Sequence, residues 1–185
     1  MRVLGIDPGL DTTGWALVCR EGSRLRPLSY GVIRTRARDA LEQRLAHLHA
    51  GVSEVLREQR PDAVALEELY SAYAHPRTAI LMGHARGVVC LCAAQQELPL
   101  FHYNATQVKR ALTGSGRASK EQVQGMVGTL LGLDLSPHPS DVADALALAV
   151  CHCNIVSPRS APEAQSAGAN LQARKHSATW LRRRR

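Results

Sequence analysis

Hydrophobic and polar positions along the chain fall into blocks of two different periods. Val3-Leu4-Gly5-Ile6-Asp7 is a short apolar run that ends in a carboxylate and meets the turn pair Pro8-Gly9. Thr13-Gly14-Trp15-Ala16-Leu17-Val18-Cys19 resumes as a second strand, and residues 28–35 read as a third, with 20–27 as the loop between them. Three strands with short connections predict an antiparallel meander. Over residues 38–60 the period changes: Leu41, Leu45, Leu48, Val52, Val55 and Leu56 recur at helical spacing with charges between. That is an amphipathic helix lying on the sheet, and Pro61-Asp62 ends it. Ala63-Val64-Ala65-Leu66-Glu67 is a buried-type strand, again ending in a carboxylate. Strand, helix, strand implies a parallel crossover beside the first strand, which sets Asp7 and Glu67 side by side.

Residues 71–78 are irregular and contain His75-Pro76; a long helix over 77–96 follows, rich in small residues including Gly83 and Gly87. A glycine inside a helix costs about 1 kcal/mol against alanine, which points to another backbone approaching closely. Two readings stand: tight packing within the chain, or the seam of a homodimer. Residues 99–104 read as a strand and 106–112 as a short helix carrying Lys109. The flexible loop 113–118, with Arg117, leads into a helix over 119–131 that has Lys120 in its first turn. The helix dipole disfavours a cation there unless an anion is near. The last regular segment opens at Ser140, a good N-cap, and is apolar nearly all round. Asp141 and Asp144, three residues apart, share one of its faces. A first-turn carboxylate suits the positive helix end, but Asp144 lies deeper, and a buried carboxylate must be paired, protonated or metal-bound.

Composition adds bounds. With 185 residues, 45% of them hydrophobic, the chain holds one domain's worth of core. No 18-residue apolar run and no secretion-like N-terminus are read, which predicts a soluble, cytoplasmic protein without a membrane partner. Five cysteines, an odd number, fit a reduced compartment. Charge is uneven: residues 1–156 carry 16 Lys and Arg against 15 Asp and Glu, whereas 157–185 carry 7 against 1. We therefore expect a folded domain over 1–156 and a basic, disordered tail over 157–185. Any nucleic-acid surface on the folded part must come from where particular basic residues lie. Cys90-x-Cys92 and Cys151-His152-Cys153 are spaced too closely for usual zinc ligands and read as small core residues. Loop 113–118 lacks the terminal Gly-Lys-Ser/Thr of a phosphate cradle, which argues against nucleotide binding.

Asp7, Glu67, Asp141 and Asp144 thus converge from two strand ends and one helix face. Such a cluster is stable only with shared protons or bound cations. Oxygen-only ligation favours Mg²⁺ or Mn²⁺, and two such ions roughly 3.5–4 Å apart suit phosphodiester cleavage.

Several short motifs also carry a resemblance. Gly5-Ile6-Asp7-Pro8-Gly9, Ala65-Leu66-Glu67-Glu68, Gly83-His84-Ala85-Arg86-Gly87, Gln107-Val108-Lys109, Lys120-Glu121-Gln122-Val123 and Asp141-Val142-Ala143-Asp144-Ala145-Leu146-Ala147 occur in the order and spacing of the RuvC-type Holliday junction resolvases. The likeness runs from about residue 1 to 156. It implies an α/β ribonuclease-H-like fold, a mixed five-stranded sheet of an antiparallel three-strand meander plus parallel strands, flanked by helices. It also implies a homodimer that resolves four-way DNA junctions by paired nicks in recombination and repair, partnered by a branch-migration helicase complex. Two Mg²⁺ ions per active site, replaceable by Mn²⁺, would be held by catalytic carboxylates at Asp7, Glu67, Asp141 and Asp144. Lys120 would stabilise the developing phosphate charge, and Tyr70, Lys109, Arg117 and Lys120 are the candidate DNA contacts. Three features depart from the family pattern: Tyr70 in place of the usual Phe, a 71–78 loop about one residue longer, and His84 where Gln is common. Junction opening and sequence preference are what these departures touch. A non-catalytic junction-binding subunit and an actin-like kinase are the rival readings, the latter because such kinases also begin with a strand-Asp-x-Gly turn.

Overall fold

The computed structural model describes residues 1–68, 76–136 and 138–156. The expected tail 157–185, Tyr70 and most of the irregular 71–78 stretch lie outside them. Among the described residues, strands β1 (Arg2–Asp7), β2 (Thr12–Glu21) and β3 (Arg24–Arg34) come first. Helix α1 (Leu41–Gln59), strand β4 (Ala63–Glu67), helix α2 (Pro76–Gln95) and strand β5 (Leu100–Tyr103) follow, then helices α3 (Ala105–Thr113), α4 (Lys120–Leu131) and α5 (Ser140–Ile155). The five strands form one sheet in the order β3-β2-β1-β4-β5. β1, β2 and β3 pair antiparallel, and β4 and β5 add in parallel. This is the expected mixed sheet.

Strand alternation splits the core into two. Leu4, Ile6, Leu17, Val64 and Leu66 point to one face, where α1 and α2 cover them with Leu48, Val52, Leu56, Ala85 and Val89. Val3, Ala16, Val18 and Ala65 point to the other, where α5 lies, backed by α3 and α4. That explains why α5 is apolar nearly all round. It is packed between the sheet and two helices, and Ala145, Leu146, Ala149, Val150 and Cys151 are fully buried.

Its approach to the sheet is unusually close because two strand positions are glycine. A Cβ added at Gly5 would stand 2.0 Å from the Ala145 carbonyl oxygen, and one at Gly14 would stand 2.1 Å from that of Asp141. The backbone of α5 therefore rests on the backbone of β1 and β2, with no side chain between.

Three expectations need correction. The 20–27 loop is a tight turn at Gly22-Ser23, with Gly22 at φ 60°, and strand β3 runs through Pro27. Proline is tolerated because β3 is an edge strand and a register shift falls beside it, with Leu17 facing Ser29 and Val18 facing Pro27. Ser140 is the first residue of α5; Pro139 occupies the N-cap, and no side chain caps it. Finally, Thr78–Gln95 does reach the length and apolarity of a membrane span. Ala85, Val89, Cys92 and Ala93 on this helix are nevertheless fully buried against α1 and the sheet.

The glycine contact yields a test. Gly14→Ala forces a methyl group into the Asp141 backbone and should lower stability by about 1–3 kcal/mol, the usual cost of overpacking. Urea denaturation measures this; an unchanged midpoint would mean that α5 is not seated on Gly14.

Candidate active site

Period-2 alternation decides where the strand-end acids point. Asp7 shares the face of Val3 and Gly5, and Glu67 the face of Ala65, so both carboxylates lie on the α5 side. The parallel register matches Ile6 with Leu66, which makes Asp7 and Glu67 neighbours one step further along. In the antiparallel register Asp7 faces Gly14, and Gly14 is the position on which Asp141 rests. Asp144 follows three residues on, on the same helix face. The missing side chain at position 14 is what brings the strand acids and the helix acids together.

The turn after Asp7 is also tied down. Thr13 is fully buried and donates its hydroxyl to the Gly9 carbonyl at 2.7 Å, while the Gly9 amide donates back to it at 3.3 Å. Across the sheet the Thr35 hydroxyl donates to the Leu10 carbonyl at 2.6 Å.

Lys120 opens α4, whose capping box is built by Ser119 and Gln122. Its ammonium donates to Asp144 Oδ2 at 2.7 Å. The carboxylate offsets the unfavourable end of the helix dipole and, through that hydrogen bond, raises the lysine's pKa. Asp7 is affected most. Burial, then the negative charges of Asp144, Glu67 and Asp141, push it from 3.8 up to about 7, against an opposing pull from Lys120. Burial and Asp144 likewise raise Glu67. All four acids are half-buried, so Asp144 is not the buried carboxylate that its place in an apolar segment suggests.

Glu67, Asp144, Lys109 and Lys120 line one cleft of about 290 Å³ whose floor includes Val108, Val123 and Leu148. Arg117 is exposed on the α3–α4 loop and takes no part in that lining. Tyr70 lies outside the described residues. A larger groove, about 660 Å³, runs past Gly128, Leu133 and His138 and is lined by none of the four acids, whereas Glu67 and Asp144 line the smaller cleft.

Among the described residues no three His, Cys, Asp or Glu side chains are closed around a single point as metal ligands. The arrangement is a coupled acid cluster with a lysine drawn into it. Its donors are all oxygen, and its mutual repulsion marks a place where added positive charge is stabilising, which fits hard divalent ions. The paired cysteine motifs are core: Cys92, Cys151 and Cys153 are fully buried, and all five thiols are free.

Comparison with known proteins bears on this geometry. The sequence model of the family described as Crossover junction endodeoxyribonuclease RuvC matches residues 3–152. The RuvC of Rhodopirellula baltica is 53% identical over 149 residues, covering 80% of this chain and 84% of the relative. That of Rubrobacter xylanophilus is 50% identical over 150 residues, covering 81% and 83%. The chain belongs to the RuvC family. Thermus thermophilus RuvC in complex with a Holliday junction substrate superimposes with a TM-score of 0.79 at 40% identity, over 84% of this chain and 94% of that one. The yeast mitochondrial Holliday junction resolvase shares the fold alone, at 14% identity and a TM-score of 0.62. The RuvC fold, a ribonuclease-H-like sheet with flanking helices, is the one described above.

Thr13 and Gly14 position the site and were not singled out from the sequence. Their signal was a glycine in a strand, next to a polar residue in an otherwise apolar run. The Tyr103 hydroxyl and His152 Nδ1, paired at 2.7 Å in the core, were likewise missed; they brace β5, the neighbour of the Glu67 strand, against α5.

Asp7 also gives a pH test. It ionises near 3.8 when unfolded and near 7 when folded, so the folded protein holds the extra proton between those values and loses stability as pH rises through 7. In chelator, Asp7→Asn should therefore unfold at a higher temperature than the parent at about pH 8, with the gap narrowing toward about pH 5. A gap that does not change with pH would remove Asp7 from the coupled cluster.

Proposed function

We propose that this RuvC-family nuclease resolves four-way DNA junctions by two symmetric nicks. Two Mg²⁺ ions per site, replaceable by Mn²⁺, would be held by Asp7, Glu67, Asp141 and Asp144. The observation that carries the reading is the meeting of these acids with Lys120 at one end of the sheet, with Asp7 pushed up to about 7. Nucleases of this family hydrolyse phosphodiester bonds and are metal-dependent. A relative bound to a Holliday junction supports junction DNA as the substrate.

Asp7, Glu67, Asp141 and Asp144 would hold the divalent ions, which when bound would supply positive charge for water activation and for the leaving 3′-oxygen. The protein's own part is positioning and charge. The acids fix where that charge sits, and Lys120, in the same cleft, stabilises the non-bridging oxygens of the attacked phosphate. Lys109 lines the cleft beside it and holds the phosphate backbone. The products are ends with 5′-phosphate and 3′-hydroxyl, ready for ligation.

Asp141→Asn should keep the fold and bind a synthetic four-way junction while losing nearly all Mg²⁺-dependent cleavage. The amide matches the carboxylate in shape but removes one ligand charge. Cleavage at the parent's rate would take Asp141 out of the site, and a parent protein that binds the junction without cutting it would favour the non-catalytic reading.

Paired nicks need two sites related by a two-fold axis, which an isologous dimer supplies. Helix α2 offers the seam. Its exposed positions include Ile80, His84, Gly87, Leu91 and Ala94, at alternating spacings of four and three that form one mainly apolar outer stripe. A Cβ on Gly87 would meet nothing within 4 Å, so packing inside the chain does not account for that glycine; Gly83 is half-buried and off the stripe. Gly87→Leu should weaken self-association with little change in circular dichroism. Sedimentation equilibrium showing unchanged dimer affinity would move the seam elsewhere.

A further inference from the structure

Arg86 stands on α2, one residue before Gly87, and reaches past the end of the sheet. Its Nε donates to the Glu67 carbonyl oxygen at 3.1 Å, and its Nη2 lies 2.8 Å from His102 Nδ1. Arginine has no acceptor and stays charged, so His102 accepts, and its proton sits on Nε2. The partnership matters because of where Glu67 falls. The β1–β4 ladder ends at Ile6 and Leu66, one residue short of it. On the other side, Glu67 stands opposite Tyr103 as the last pair of the β4–β5 ladder, and the Glu68 amide donates to the Tyr103 carbonyl at 2.9 Å. The Glu67 carbonyl is thus held by the guanidinium at the point where the strand stops.

We infer that Arg86, oriented by His102, is a positioning residue for Glu67: it fastens the last peptide of β4 and so fixes the direction in which the Glu67 carboxylate enters the acid cluster. The inference rests on Glu67 being one of the active-site acids. Arg86 acts on the backbone. It is not among the charges that shift Glu67, where burial, Asp144 and Lys120 are the causes, so its contribution is geometric. A carboxylate swung by a fraction of an ångström is a poorer ligand in a cluster whose function depends on alignment.

Arg86→Gln and Arg86→Lys test this, with His102→Leu as a variant that leaves Arg86 in place and removes its acceptor. Three quantities are measured on each: junction affinity in Ca²⁺, the single-turnover cleavage rate across a Mn²⁺ titration, and the rise in unfolding temperature caused by Mn²⁺ without DNA. Arg86→Gln should bind the junction within about twofold of the parent, yet cleave about ten- to a hundredfold more slowly, as small misplacements in active sites do. It should also need several-fold more Mn²⁺, both for half-maximal rate and for the thermal shift. Arg86→Lys, which can still donate to the Glu67 carbonyl, should recover much of the loss, and His102→Leu should show a smaller loss of the same kind. Cleavage and Mn²⁺ dependence equal to the parent's in Arg86→Gln would overturn the inference. So would a rate loss explained by weaker junction binding, which would make Arg86 a DNA contact. If Arg86→Gln fails to fold, an unchanged Mn²⁺ dependence in His102→Leu overturns it. A parent protein that does not cleave would instead defeat the reading of the site as a nuclease.

Discussion

Backbone resting on backbone is the constraint on which the rest of this molecule depends. Where α5 crosses β1 and β2, Gly5 and Gly14 leave no side chain between helix and strands, and the carbonyls of Ala145 and Asp141 fill the space. A helix normally packs on a sheet through a cushion of side chains. Removing that cushion at two points lowers α5 until its first-turn carboxylate stands over the end of β1. The sheet's parallel pairing delivers Glu67 to the same place. The site is thus a product of close packing, and its tolerances are those of a protein core rather than of a loop.

The cluster so formed is electrostatically unfavourable by itself. Its members disfavour one another's charge, and Asp7, the most affected, is left poised near neutrality. Lys120 relieves part of this by pairing with Asp144, at the cost of placing a cation at a helix start. Local strain of this kind persists only where surrounding packing over-determines it. Here that packing includes the buried Tyr103–His152 pair, the Thr13 hydroxyl in the turn after Asp7, and an α5 whose inner residues are almost wholly enclosed.

Much of this was legible in the sequence, for identifiable reasons. A carboxylate closing an apolar run is usually only a turn residue, and Asp7 and Glu67 gained weight from recurring at two strand ends. The order strand, helix, strand then sufficed to pair them. The apolar circumference of α5 made its two aspartates conspicuous, although both are half-buried and Asp144 lines the cleft. What escaped notice depends on tertiary context. Pro27 reads as a strand breaker until β3 is known to be an edge with a register shift. Gly5 and Gly14 read as weak strand residues until a helix is seen to lie on them. Arg86 reads as one cation in a small-residue helix until its reach to the end of β4 is measured. The motif resemblance bore out the fold and family, and the comparisons carried these further than spacing alone.

The long outer strand β3 is shaped against joining another sheet. An eleven-residue edge strand is a template for adding another strand, and strands can slip along one another by two residues without penalty to their facing pattern. Pro27 deletes one amide donor from that edge, the adjacent register shift bends it, and exposed Arg24, Arg26 and Arg34 charge it. Sheet-to-sheet joining is thereby discouraged at this edge. What remains on α2 is a helical stripe, where knobs and hollows admit one alignment at a time. For an enzyme whose two cuts must fall at matched positions, the proposed α2 seam, unable to slide, would be the safer way to measure distance.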